Sequence, residues 1–336
     1  MQNQQNFSKA NNYQKKILVT GALGQIGTDL VEALILRYGI DSVISSDLKS
    51  PEALESIKSQ ESSVKNIKNY YKIDVLNYNE IAEVVKKEQI TDIYHLAAIL
   101  SASGEKNPSL CWDININGLI NILEIAKNFH LSQVICPSSI AVFGPTTPNI
   151  NTPQQTIIEP TTIYGISKLT GEMLCDYYRK KFAVDVRGLR YPGLISYKTK
   201  AGGGTTDYAV EIFNYAIEHK AYQCFLSANT ILPMMYIEDA IRGTIELAEA
   251  DANKLTNFSN FNFAGLSFSC AELAENIKKY LPDFTVTYLP DFRQQIADSW
   301  PQSIDDSEAR KQWGWQPKFN LDTLVRSMLQ GLGKII

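Results

Sequence analysis

The chain has 336 residues, 44% hydrophobic and 20% charged, with a formal net charge of −4, which suffices for one large domain or two joined ones around a substantial core. The mild acidic excess contains no block of like charges and argues against nucleic acid or an anionic membrane as partner. Five cysteines without a CxxC pair and only three histidines indicate reduced thiols in a reducing compartment and no metal site, and no apolar run is long enough for a membrane span.

Residues 1–14 hold eight Asn or Gln and one charge, Lys9. Without an apolar stretch or arginines they match neither a secretory signal nor a mitochondrial presequence, so they are expected to be a disordered leader, with the cytoplasm as the default location. Ile17–Thr20 then reads as a strand and Gln25–Tyr38 as a helix, with Ile26, Leu30, Ala33 and Leu34 on one face. Strands are expected at Ser42–Ser46, Tyr70–Asp74, Asp92–Leu96, Gln133–Ser138 and Val184–Leu189. Helices are expected near Tyr78–Lys87, Ser109–Phe129 and Thr162–Phe182. This alternation predicts an α/β fold, a doubly wound parallel sheet with right-handed crossovers. After residue 190 the rhythm breaks, leaving helices at Tyr208–His219, Glu238–Glu249, Cys270–Tyr280 and Leu321–Leu332. The expected division is a Rossmann domain over 15–190 and a smaller C-terminal substrate-binding lid over 191–336, with segments that can interleave.

Between the first strand and helix stands Gly21-Ala22-Leu23-Gly24-Gln25-Ile26-Gly27, a GxxGxxG variant of the dinucleotide fingerprint. Glycine lets the backbone approach a pyrophosphate, and the helix N-terminus faces its charge. Gly21, Gly24, Gln25, Ile26 and Gly27 are therefore candidate cofactor contacts. Asp47, 20 residues after Gly27 at the end of the second strand, can accept hydrogen bonds from the adenosine ribose and repel a 2′-phosphate, which favours NAD over NADP. A loop or cap acid is the plain alternative.

Tyr164 and Lys168 lie at i, i+4 and share a helix face. An ammonium beside a phenol favours the phenolate, which can take a proton from an alcohol as hydride leaves for the cofactor. The chain holds a second such pair, Tyr177 and Lys181, but only the first has a serine at a strand end upstream, Ser139. Ser139 would steady the substrate oxygen.

These features, with His95-Leu96-Ala97-Ala98, Arg190-Tyr191-Pro192-Gly193 and Trp313-Gly314-Trp315-Gln316-Pro317, resemble the extended short-chain dehydrogenase/reductase family, from about residue 16 to the C-terminus. The resemblance implies adenine contacts at Asp74 and Val75 and further cofactor contacts at Leu96, Ala97, Ala98, Tyr164, Lys168, Tyr191 and Gly193. Leu100–Glu105, Gly193–Ser196, Gly202–Tyr208, Leu232–Tyr236 and Ser299–Ser303 look like the branch that oxidises the β-hydroxyl of L-threonine to 2-amino-3-ketobutyrate. That likeness implies substrate contacts at Ser101, Ser139, Tyr164, Thr205 and Trp300, and a homodimer built through the two long helices. His95 reads more simply as a packed strand-end residue, and Glu105 as a loop acid that could alternatively meet the substrate ammonium. The competing readings are a nucleotide-sugar 4-epimerase of the same fold and a non-catalytic NAD-binding regulator. Ile140-Ala141 after Ser139 disfavours dehydration, and retention of Tyr164 and Lys168 disfavours the regulator.

Overall fold

Short runs of β-branched and aromatic residues build the centre of the molecule. The computed structural model describes residues 15–52, 67–198 and 202–335, so the expected leader lies outside the described residues. Six parallel strands, β1 (Ile17–Thr20), β2 (Val43–Asp47), β3 (Asn69–Lys72), β4 (Asp92–His95), β5 (Gln133–Ile135) and β6 (Val186–Arg187), form one sheet in the order 3-2-1-4-5-6. This is the doubly wound order of a Rossmann fold. Side chains alternate along β1. Ile17 and Val19 enter one core with Leu30 and Ile241, while Leu18 enters another with Ile81, Leu119 and Cys175. A strand buried on both faces must be apolar throughout, which is why Ile17–Thr20 is so legible.

The expected strands Gln133–Ser138 and Val184–Leu189 both end where the chain leaves the central sheet. Pro137 cannot donate to a ladder, and after it Ser138–Ser139 leaves the central sheet to pair with Leu189–Tyr191. The partner segment leaves β6 at Gly188, where a Cβ would lie 2.3 Å from the Cys136 carbonyl oxygen. The expected continuous helix Ser109–Phe129 is also modified. Pro108–Trp112 runs into a widened π turn at Asp113–Asn117 and then into Gly118–Asn128. Within that turn Asn115 accepts from the Ile99 amide (2.8 Å) and donates to the Ile99 carbonyl (3.1 Å), so the extra residue aims an amide at the loop after β4.

Beyond residue 190 the expected helices form at Tyr208–Glu218, Ile237–Glu249, Cys270–Lys278 and Leu321–Gly331. Strands join them, including Ile231–Tyr236 between Gly193–Ile195 and Leu266–Ser269. Pro233 inside that strand obscures it in the sequence. Ile237–Glu249 packs beside Gln25–Tyr38, and Arg37 donates to Glu249 at 2.9 and 2.7 Å. Residues on both sides of position 190 share a core, so we propose that boundary as a division of labour rather than a break in packing. Among the described residues no helix is long and apolar enough to cross a membrane.

The C-terminal ends of β1 and β4 are joined side to side. Thr20 lies opposite His95, and Thr20 Oγ1 and His95 Nδ1 share a 2.8 Å hydrogen bond. Burial first, and then the Lys168 ammonium, lower the imidazole to about 3. The unfolded chain takes up this proton below about pH 6.5, and the folded chain only near 3. Stability from the neutral imidazole is therefore complete above pH 6.5 and is lost as the pH falls toward 3, at up to about 1.4 kcal/mol per pH unit. His95→Asn should flatten the fall in stability between pH 6.5 and 4, measured by urea unfolding relative to each protein's value at pH 7. Parallel curves for the two proteins would place the acid sensitivity elsewhere.

Candidate active site

The glycine loop is built as a cradle. Gly21 adopts φ +70°, and a Cβ there would lie 2.8 Å from the Ala97 amide nitrogen. A Cβ on Gly27 would lie 2.2 Å from the Gly21 carbonyl oxygen, so this glycine lets helix Gln25–Tyr38 close against the loop. Gly24 is the helix N-cap and has no side chain to occupy the space before the first turn. Gly21 and Gly24 line a cleft of about 260 Å³ with Asp47, Asp74, Val75 and Ala97. Asp47 accepts from the Leu23 amide (3.1 Å) and the Lys49 amide (3.2 Å), and so is fixed at the cleft edge. Asp74 accepts from the Leu76 amide at 2.9 Å. A backbone-lined cradle with a carboxylate at its rim fits the pyrophosphate and ribose of a dinucleotide.

Leu96 and Ala98 also line a second cavity, of about 130 Å³, on the other side of the loop after β4. Here the structure brings together Gln25, Ile26, Ser101, Ser139, Tyr164, Lys168, Tyr191, Gly193, Thr205 and Trp300. Helix Ile163–Phe182 supplies Tyr164 and Lys168. Its N-terminus is capped twice, by Thr162 accepting from Gly165 (3.0 Å) and by Glu105 accepting from Ile163 (2.8 Å). Glu105 is thus engaged with this helix end. Lys168 Nζ lies 5.7 Å from the centre of the Tyr164 ring and donates to the Pro137 carbonyl at 2.9 Å. Ser139 Oγ accepts from the Ala141 amide at 3.2 Å, leaving its own proton to be donated elsewhere. Gln25 Nε2 donates to the Leu194 carbonyl, linking the cradle to the Gly193 segment.

Across the cavity, Ser101 Oγ accepts from the Thr205 amide (3.2 Å), and the two hydroxyls lie 3.1 Å apart. Trp300 is buried beside them. The preceding glycines are held by Asp207, whose Oδ2 accepts from Gly203 (2.7 Å) and Gly204 (2.8 Å). Burial raises this carboxyl above the usual range, against the pull of those amides. Asp207, Thr206 and Leu194 line the cavity but are not among the residues singled out from sequence. The Gly-Gly-Gly-Thr-Thr-Asp string marked the loop without showing which way each side chain turns.

A family model described as the NAD dependent epimerase/dehydratase family matches residues 17–262. An uncharacterised epimerase/dehydratase of Staphylococcus aureus (strain USA300) is 46% identical over 319 residues, covering 95% of this chain and 97% of the relative. Among solved structures, the holo form of an L-threonine dehydrogenase from Cupriavidus necator superposes with a TM-score of 0.89 at 48% identity, covering 94% of this chain and 99% of that one. A monomeric L-threonine 3-dehydrogenase from a metagenome superposes with a TM-score of 0.88 at 50% identity, covering 94% and 98%. With a cradle shaped for a dinucleotide and this likeness along nearly its whole length, the chain belongs to the NAD dependent epimerase/dehydratase family, and its cofactor is NAD.

Proposed function

We propose that the chain oxidises the β-hydroxyl of L-threonine to 2-amino-3-ketobutyrate with reduction of NAD. The observation that carries this reading is the lining of the cavity beside Tyr164, where Ser101 and Thr205 present hydroxyls and Lys168 is the one lysine or arginine among the described lining residues. A nucleotide sugar would need cations for its diphosphate, whereas a small hydroxy amino acid is met by hydrogen-bonding groups. The L-threonine dehydrogenases named above support the same reading.

Bound NAD supplies the hydride acceptor. In the proposed reaction Tyr164 is the base that takes the hydroxyl proton, with the Lys168 ammonium 5.7 Å from the centre of its ring. Ser139 donates to the substrate oxygen and steadies its developing charge. Ser101 and Thr205 face the polar head of the amino acid, and Trp300 excludes water. Gly21, Gly24, Gln25, Ile26 and Gly27 would hold the pyrophosphate end, Asp47 the ribose, and Asp74 and Val75 the adenine. Leu96, Ala97, Ala98, Tyr191 and Gly193 would complete the path to the nicotinamide. We also propose a homodimer. Ile166, Met173 and Tyr177 recur on one face of helix Ile163–Phe182 and are 41%, 66% and 53% exposed, an apolar stripe suited to a second copy.

NADH absorbance should rise on mixing the chain with NAD and L-threonine, and no rise with L-threonine, or conversion of UDP-glucose to its 4-epimer without net NADH, would sink the reading. Tyr164→Phe should keep NAD affinity and lose about 10²–10⁴-fold in turnover; near-normal turnover would remove Tyr164 as the base. Asp47→Ala should weaken NAD and narrow its advantage over NADP, measured by fluorescence titration of both cofactors. An unchanged ratio would move the ribose contact to another residue.

A further inference from the structure

Three residues of helix Ile163–Phe182 recur at intervals of four, Tyr164, Lys168 and Glu172, and so share one face. The first two belong to the reaction proposed above. Glu172 does not reach the cavity beside Tyr164, yet it is 6% exposed, and a carboxylate is seldom buried without a purpose-built set of donors. Its donors are specific. Arg190 Nε and Nη2 each donate to one of its oxygens at 2.8 Å, and Ser138 Oγ donates to Oε1 at 2.6 Å. Arg190 is itself 1% exposed and also donates to Asn262 Oδ1 at 3.1 Å.

The strand geometry gives this cluster its meaning. Ser138 pairs with Arg190 and Ser139 with Tyr191 across two short parallel strands. Successive side chains of a strand point to opposite faces. The Ser139 side chain therefore turns the opposite way from that of Ser138, whose hydroxyl is gripped together with the Arg190 guanidinium by Glu172. Lys168 grips the preceding residue through the Pro137 carbonyl. The helix that carries Tyr164 is thus bonded to the chain on the N-terminal side of Ser139 at two consecutive residues. The segment has only two residues of ladder to hold it, so these side-chain bonds set where Ser139 stands relative to Tyr164.

We propose that Glu172, clamped by Arg190 and acting through Ser138, is a positioning residue that fixes Ser139 at its working distance from Tyr164. The inference rests on the reading that Ser139 and Tyr164 act together on a small hydroxy acid, but not on which one that is. A 1 Å displacement of a reacting group can cost about 100-fold in rate.

The test is a double-mutant cycle with Ser138→Ala and Glu172→Gln, in the full-length chain with NAD, on whichever of L-threonine, L-serine and 3-hydroxybutyrate the wild type oxidises. Rates are taken per NAD-binding site, so that any fraction failing to fold is not counted. Each single change should lower kcat by about 10- to 100-fold with KM and NAD affinity near wild type, and the double mutant should be no slower than the slower single. Ser138→Thr, which keeps the hydroxyl, should recover most of the loss. Multiplying losses in the double mutant, a rise confined to KM, or wild-type kcat per site in both singles would each overturn the proposal. Oxidation of another alcohol but not L-threonine would refute the substrate while leaving the cycle fully readable. Inertness toward all three would refute the joint action of Ser139 and Tyr164, and this inference with it.

Discussion

The bond from the Lys168 ammonium to the Pro137 carbonyl, 2.9 Å long, is the contact on which the geometry of the site turns. Proline at this position ends β5, because it has no N–H for the ladder, and its carbonyl serves as an acceptor for the helix that follows later in the chain. The bond does two things. It docks helix Ile163–Phe182 on the strand end that leads to Ser139, and it holds the lysine by a neutral group. A carboxylate in the same place would anchor the side chain equally well, but would neutralise the charge that the proposed reaction needs beside Tyr164.

Topology explains why the cofactor and the reacting groups meet where they do. The strand order reverses between β1 and β4, and the loops leaving these neighbouring strands turn to opposite faces, opening a crevice at their C-terminal ends. Gly21 after β1 and Ala97 after β4 nearly touch across it, so the phosphate cradle and the loop toward the cavity form one continuous wall. The two chain crossings, at Pro137 and at Gly188, carry Ser139 and Tyr191 out of the main sheet and over this crevice. A sheet that kept Gln133–Ser138 as one straight strand would leave Ser139 without that lateral shift.

Much of this was legible in the sequence, because the signals were local. Ile17–Thr20, the glycine loop and the Tyr164–Lys168 spacing each depend on residues a few positions apart, and their periods match a strand, a turn and a helix face. The less legible features involve partners far apart in the chain. Ser138 meets Glu172 and Arg190 at separations of 34 and 52 residues, and nothing in the local pattern distinguishes Glu172 from a solvated helix acid. Asp207 reads as an ordinary residue before a helix until its carboxylate is seen to hold two glycine amides. The π turn at Asp113–Asn117 is hidden because one extra residue per turn hardly alters an apolar pattern already interrupted by Asn115 and Asn117. The strands after residue 190 were missed because most are two to four residues long and the longest contains Pro233.

Charge placement unites the two halves of the site. Around Lys168 the other ionisable groups are quieted by neighbours of fixed geometry. His95 is kept neutral by burial and by the lysine itself, Glu172 is claimed by Arg190, and Asp207 is tied to backbone amides. At the far side of the cavity stand hydroxyls, Ser101 and Thr205. A hydroxyl can donate to a carboxylate and accept from an ammonium, so this wall can meet both ends of a zwitterion without introducing a net charge. A diphosphate would instead require a cluster of cations there, and a simple alcohol would leave the two buried hydroxyls bonded only to each other and to the backbone. The proposed substrate, a small neutral zwitterion that carries a hydroxyl, would satisfy both walls at once.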